Sequence, residues 1–530
     1  MRVKPRMPNP LKKQKQPQHP TNDENGAIPL SLSSDLEENL VYIKETLGNS
    51  SDLVLREFHI GIKQEHHLAV IYTDGLVDST FIQDFILEAL MIDSKEIHAE
   101  NAPIIRTLKA RILPMADLKE VTNYQDIFSH IMSGNTVLIL DGFQIGFALG
   151  SKGGAQRSVQ EPTSQTVVRG PKDGFTEGLR TNTALIRRRI KDTSLRVDSM
   201  KIGRRTQTDL AIMYIDGVVN NETVTEVKER LERIDIDGIL ESGQIEELIQ
   251  DARFSPFPTI MHTERPDVVA GALLEGRVAI VIDGTPFVLL APSLFIHFFQ
   301  ASEDYYQKSD ISTFLRILRY LAFFLALLTP SAFIAVTTFH QEMLPSQLLI
   351  SLAAQREGVP LPAIVEAIMM EITFEILREA GIRMPRAVGP AISIVGALVI
   401  GQAAVEAGIV SASMVIVVAL TAISSFVSPA FNISITARLL RFPLMFLAAS
   451  FGLFGILLGL IVMVLHLSSL RSFGVPYLAP NSPFILEDQK DNFVRLPRWL
   501  LRTRPHLINK NNMTRSATPP PKPPEPEPES

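Results

Sequence analysis

Apolar and polar positions are arranged differently in the two halves of this chain. Up to about residue 309, apolar residues occur in short β-branched runs and in stretches spaced three and four apart, broken by charge. From 314 to 466 the apolar runs become nearly continuous. The segments 387–409 and 411–430 each approach the roughly 20 residues a helix needs to cross a bilayer. A first span is expected at 318–339, where Thr329-Pro330-Ser331 predicts a kink, because proline removes one helical hydrogen bond. A fourth is expected at 443–467, whose GLFGILLGL run allows close helix packing. Between the first and second spans an amphipathic helix over 361–383 mixes Ile, Met, Phe and Leu with Glu366, Glu371, Glu375 and Glu379. Charge against lipid is costly, so these carboxylates should face water, a cavity or a partner.

Four spans bring the basic C-terminal flank, with Arg471, Arg495, Arg498 and Arg502, back to the side of the soluble half, as the positive-inside tendency favours. The same count leaves Arg438 and Arg441 on the opposite side. Letting 361–383 cross as well moves those two back but sends the tail across. The expectation adopted is four spans, with 361–383 along the surface or re-entering. Beyond 470 the chain turns polar and ends in PPPKPPEPEPES, a composition typical of disorder.

Two stretches of the soluble half match two others at one constant offset. LAVIYTDGLV (68–77) aligns with LAIMYIDGVV (210–219), and SGNTVLILDGFQIGFAL (133–149) with EGRVAIVIDGTPFVLLA (275–291), both shifted by 142 residues. A fixed period is the mark of duplication. Each copy reads as strand, amphipathic helix, strand, with helices in FIQDFILEALM and VTEVKERLERI. The expected fold is therefore α+β plus a helical membrane part: tandem α/β subdomains at 36–150 and 198–297, then a multi-span domain over 310–470. A basic N-terminal arm (1–35), a basic linker (151–197) and a polar, proline-rich tail (471–530) complete the layout. The pairs beginning at Asp74, Asp141, Asp216 and Asp283 could be cation sites, but Asp-Gly after an apolar strand is first a turn signal. Arg187, Arg188 and Arg189 in the linker suit a solvated helix face, an interdomain contact or lipid phosphates.

Composition narrows the function. Cysteine is absent, which excludes disulfides and thiol chemistry. The formal net charge of −6 gives no case for nucleic acid. The proline-rich basic start has no apolar core, so a secretory signal is not expected and the soluble half should remain cytoplasmic. No phosphate loop, nucleophile elbow or metal-ligand spacing appears; no enzyme activity, cofactor or metal is expected. On the second span, Val395, Leu398, Gln402 and Glu406 recur at i+3 or i+4 and form one stripe, small and apolar before it ends in Gln and Glu. The residues fit equally a narrow pore with a wetted mouth or contact with another span or headgroups. Glu366, Glu371 and Glu375 could form a cation-attracting collar or a subunit contact. Alternatively, the helix could lie at the interface with its acidic face in water, the reading preferred for Glu379.

Five segments, VVRGPKDGFTEGLRTNTALIRRRI (167–190), SPFPTIMHTERPD (255–267), EAIMMEITFEILREAGIRMP (366–385), VGALVIGQAAVEAGIVSASMVIVVALTAI (395–423) and RSFGVPYLAP (471–480), resemble the A-subunit family of GerA-type spore germinant receptors. The resemblance implies a multi-pass protein of the spore inner membrane, acting with a transporter-like B subunit and a lipoprotein C subunit. It further implies a homo-oligomer around a pore for monovalent cations, and favours the pore reading of the second span. The family also includes accessory spore membrane channels that amplify germination. A scaffold whose spans only anchor the soluble domains is a further alternative, though an anchor would not need Gln402, Glu406 and an acidic helix. A secondary transporter would show inverted membrane repeats, and repetition occurs only in the soluble half.

Overall fold

The computed structural model describes residues 31–60, 66–87, 105, 117–153, 161–384, 401–509 and 512–521. The chain forms two compact units. One holds the first α/β copy up to Gly153, and the other runs from Gly154 onward and includes the short segments 47–52 and 74–76.

In the first unit, helix α1 (Leu36–Thr46) precedes strands β1 (Leu53–Ile60), β2 (His66–Thr73) and β3 (Leu118–Val121), helix α2 (Tyr124–Met132), and strands β4 (Thr136–Leu140) and β5 (Gly146–Leu149). The strands form one sheet in the order β1-β2-β4-β5-β3, antiparallel at every pairing. Leu68, Val70, Leu138, Leu140, Phe147 and Leu149 build its core.

The second unit opens with the same plan. Helix α3 (Leu179–Arg189) is followed by β6 (Leu195–Ile202), β7 (Thr208–Ile215), α4 (Asn221–Glu232), α5 (Ser242–Ile249), β8 (Met261–Thr263), α6 (Pro266–Leu274), β9 (Val278–Ile282) and β10 (Val288–Ala291). The sheet order is β6-β7-β9-β10-β8, the first order repeated. Both sheets are antiparallel, so the subdomains are α+β. The apolar run in β7 has no polar alternation because both faces are covered. Leu210 and Ile212 enter the core shared with α4 and α5, while Ala211, Met213 and Ile215 enter the core on the opposite face.

The duplication extends into the stretch expected to be a linker. Asn182 on α3 is fully buried; its side chain accepts from the Thr176 amide at 2.8 Å and donates to the Thr176 carbonyl. Asn39 on α1 does the same with Ser33, at 3.0 and 2.8 Å. Asp283 Oδ1 accepts the first amide of α3 at 3.0 Å, as Asp141 Oδ1 accepts that of α1 at 3.1 Å. Helix α3 is thus the opening helix of the second copy. Two of the arginines at its end are taken up within the chain: Arg187 is buried and pairs with Asp52 at 2.7 Å, and Arg189 pairs with Asp173. All four Asp-Gly glycines have positive φ, between 75° and 87°, as turns require.

Among the described residues the longer helices that follow are α7 (Ser309–Thr338), α8 (Ser346–Glu357), α9 (Ala363–Arg383), α10 (Ala412–Phe426) and α11 (Phe431–Ser469). α7 and α11 are long and apolar enough to cross a membrane. α11 is not straight. Gly452 adopts φ 63°, ψ −142°, outside helical space. A Cβ on Gly455 would lie 2.1 Å from the Leu447 carbonyl oxygen, and one on Gly459 would lie 2.5 Å from the Leu444 side chain. A continuous helix rising 1.5 Å per residue would hold these pairs about 12 and 22 Å apart. The chain therefore doubles back at Gly452 into a helical hairpin. Its two ends both reach the second sheet unit, where Thr436 donates to the Pro256 carbonyl and His466 Nε2 lies 2.8 Å from Ser255 Oγ. Its tip sits at the other end of α7, against Phe339 and His340.

Two elements bear on the four-span expectation. The stretch 443–467, expected as one helix, is folded into the hairpin. Helix α9, expected along the surface or re-entering, packs against the apolar helices, from Glu366 beside Ser411 to Glu375 beside Arg438. Most of the expected second span falls on 385–400, outside the described residues. The tail also differs from expectation over 471–509. Strands β11 (Arg471–Ser472) and β12 (Val475–Pro476) form a small hairpin, and Tyr477, Asn492, Arg495 and Ile508 are buried. Tyr477 joins one continuous core with Phe298, Phe299, Tyr320, Phe323, Ile433 and Leu467.

Candidate functional site: carboxylates and arginines among the apolar helices

Helix α9 buries Ala363, Glu366, Ala367 and Glu371, three and four residues apart and so on one face. Neither buried carboxylate faces water. Glu366 Oε1 accepts both the backbone amide and the hydroxyl of Ser411. Ser411 in turn caps α10, its Oγ accepting from the Met414 amide. Glu366 therefore fixes the start of α10 rather than presenting charge to solution.

Glu371 is paired with Arg441 of α11, and each side chain is 1% exposed. Arg441 also donates from Nε to the Ala326 carbonyl of α7 at 2.8 Å. That carbonyl is the one an ordinary helix would bond to the amide of residue 330, and residue 330 is proline. The arginine thus takes the place of the hydrogen bond that Pro330 deletes. One side chain ties together α7, α9 and α11.

Glu375 lies one turn further along, bridging Arg378 at 2.7 Å and Arg438 at 3.1 Å. Glu379 is exposed and pairs with Arg383 at 2.7 Å. Two of the carboxylates, Glu371 and Glu375, are paired with three arginines, Arg378, Arg438 and Arg441, while Glu366 is held by Ser411. Within the chain these carboxylates hold helices together. Burying an ion pair without such mutual partners would be prohibitive. Arg438 and Arg441 find their acids on α9, which helical spacing along their own segment does not reveal. The available signal was two arginines in an apolar run with no acid on their own helix.

Of the stripe Val395, Leu398, Gln402 and Glu406, the first two lie outside the described residues. Gln402 and Glu406 are exposed, and the Gln402 amide donates to Glu406 Oε1 at 2.9 Å. No arginine pairs with Glu406 among the described residues. These two polar groups differ from the α9 carboxylates in being left open.

The family model for the Bacillus/Clostridium GerA spore germination protein matches residues 41–507. The chain belongs to that family. It is 52% identical to spore germination protein KA of Bacillus subtilis (strain 168), over 92% of this chain and 89% of that one. It is 46% identical to the uncharacterized membrane protein YfkQ of the same organism, over 92% and 94% of the two chains. Among solved structures, it matches the N-terminal domain of the A subunit of the Bacillus megaterium spore germinant receptor GerK3. That match has 45% identity and a TM-score of 0.41, covering 50% of this chain and 98% of the other.

Proposed function

We propose that this chain is the A subunit of a nutrient-sensing spore germinant receptor and that copies of it line an ion pore in the spore inner membrane. Membership of the germination family supports the receptor role, and relatives matched over most of both chains are themselves named spore germination proteins. On this reading the chain works with a transporter-like B subunit and a lipoprotein C subunit, as that family assignment implies.

The hairpin at Gly452 supports a revised path through the membrane. α7 leaves the sheet unit, α9 returns toward it, α10 returns again, and α11 goes out and back. With the apolar stretch 387–409 as a further crossing, the chain passes six times. Both the soluble half and the tail then share the cytoplasmic side, and Arg438 and Arg441 join them, which removes the conflict with the positive-inside tendency. The exposed faces of these helices are apolar, including Leu321, Phe324, Ile416, Ile423, Leu439, Phe446, Leu457, Ile461 and Leu465, as lipid contact requires.

The observation that carries the pore assignment is the contrast between carboxylates. Glu366, Glu371 and Glu375 are each held through one oxygen by partners within the chain, whereas Gln402 and Glu406 stay exposed and free to face water or another copy. The spacing places Val395 and Leu398 on the same stripe, with the narrowest point at Leu398. Purified receptor in liposomes should conduct monovalent cations. Leu398→Ala should make the resting pore leak, and Glu406→Gln should weaken cation selectivity while leaving the gate closed. Because the chain lacks cysteine, single cysteines across 391–407 can be labelled with water-soluble thiol reagents. Labelling of the Leu398 face supports the assignment; labelling of the Ser393 face alone, or of neither, ends it.

A further inference from the structure

A cavity of about 620 Å³ opens within the second unit, between its sheet domain and the near end of the apolar helices. Its size lies in the ordinary range for small-molecule sites, about 300–1,000 Å³. One wall is the α10–α11 turn, with Phe426, Val427 and Pro429; the others come from α6, the segment 164–167 and the C-terminal stretch around Arg498 and Arg515. None of the residues of the acidic α9 helix borders it.

Its charge is unbalanced. Six arginines line it against three carboxylates. Four of the six have carboxylate partners: Arg265 with Asp267, Arg515 with Glu275, Arg319 with Asp304, and Arg189 with Asp173. Arg277 and Arg498 make no direct ion pair among the described residues, and the remaining lining carboxylate, Glu303, is held by the Val168 and Arg169 amides. Arg277 is 4% exposed and donates only to neutral oxygens, the Pro292 carbonyl at 2.9 Å and Ser293 Oγ at 2.6 Å. Burying a cation is costly, and burial pulls its guanidinium down to about 10 even with the Glu275 carboxylate near enough to oppose the shift. Two further buried polar atoms are unpartnered there, a donor (Arg265 Nε) and an acceptor (Asp267 Oδ1), on side chains 3% and 5% exposed.

We propose that this cavity binds a phosphate ester that also carries a hydroxyl or amino group, its phosphate on Arg277 and Arg498 and its donor group on Asp267. Guanidinium forks suit phosphate oxygens, and the second group answers the unpartnered carboxylate oxygen. Two sources share this chemistry: a phospholipid headgroup entering past the apolar turn at 426–430, and a water-soluble phosphate ester entering from the other side.

The test uses the full chain purified in detergent. Its probes are dihexanoyl phosphatidylglycerol below its micellar concentration, glycerol 3-phosphate and inorganic phosphate, with binding read by titration calorimetry and by the shift in unfolding temperature. Binding of the first alone assigns the site to membrane lipid. Binding of glycerol 3-phosphate with similar affinity assigns it to a soluble ester. In either case Arg498→Ala, at an exposed position that folding does not need, should weaken binding about tenfold or more, the value of one charge-assisted contact. Arg277→Gln should do the same, and Arg233→Ala, on the far side of the sheet domain, should change nothing. Absence of binding by all three probes overturns the proposal, as does binding that is unchanged in Arg498→Ala or equally weakened in Arg233→Ala.

Discussion

The carbonyl of Ala326 is a small feature with large consequences for three helices. Proline at 330 strips it of a donor, Arg441 supplies one, and Glu371 balances the arginine's charge. Glu371→Gln or Arg441→Met leaves one buried charge unmatched, so each should destabilise the detergent-purified protein by about 3–5 kcal/mol. The double variant Glu371→Met/Arg441→Met should lose less than the sum, because neither charge remains; additive losses in thermal unfolding would contradict the pairing. Restoring the backbone donor with Pro330→Ala should also reduce the penalty of Arg441→Met. The acidity of helix 361–383 was legible in the sequence, but its partners were not. Glu371 and Arg441 are 70 residues apart, and helical spacing relates only neighbours within a few turns. The two buried asparagines that pin the chain ahead of each opening helix were missed for a related reason: Asn39 and Asn182 sit at the same place in each copy, yet a single buried polar residue carries no periodicity. Asn182→Ala orphans the Thr176 amide and carbonyl, and should lower the unfolding free energy by about 1–3 kcal/mol.

At the level of elements, the constant 142-residue offset translated directly into structure. β2 at His66–Thr73 and β7 at Thr208–Ile215 occupy equivalent positions in sheets of one order. The strands at 53–60, 66–73, 136–140 and 146–149 recur at 195–202, 208–215, 278–282 and 288–291, so no insertion between them blurs the match. The apolar helices were harder, since a run of 39 apolar-rich residues reads the same whether straight or folded. The decisive residue was Gly452, whose positive φ is open to glycine and strained for other side chains. A Cβ there would also come within 2.6 Å of His340 and 3.0 Å of Phe339. Gly452→Ala should therefore loosen the hairpin tip, which would show as a lower unfolding temperature and as new protease or thiol-reagent access at 448–456. Gly401→Ala, where the nearest atom would be 3.7 Å away, should leave both unchanged and serves as the control.

For the molecule as a whole, the proposed even number of crossings makes a claim that vesicles of the two orientations can check. Protease added to inside-out vesicles should cut both the soluble half and the exposed positions of the C-terminal stretch, such as Phe484 and Leu486, and right-side-out vesicles should protect both. Opposite accessibility of the two would require an odd number of passes and a different path for α9 or α11. The buried C-terminal stretch also fixes an order of events during synthesis. Phe298, Phe299 and Tyr320 share a core with Tyr477, and the Ser293 amide donates to Ser472 Oγ at 2.9 Å. The ribosome must therefore complete every apolar helix before the residues that close the second sheet domain leave the exit tunnel. During that interval the nascent chain carries an open aromatic surface at the membrane face. A chain stalled or truncated before 477 should be held by chaperones or degraded, which would give the cell a built-in check that only fully inserted copies persist.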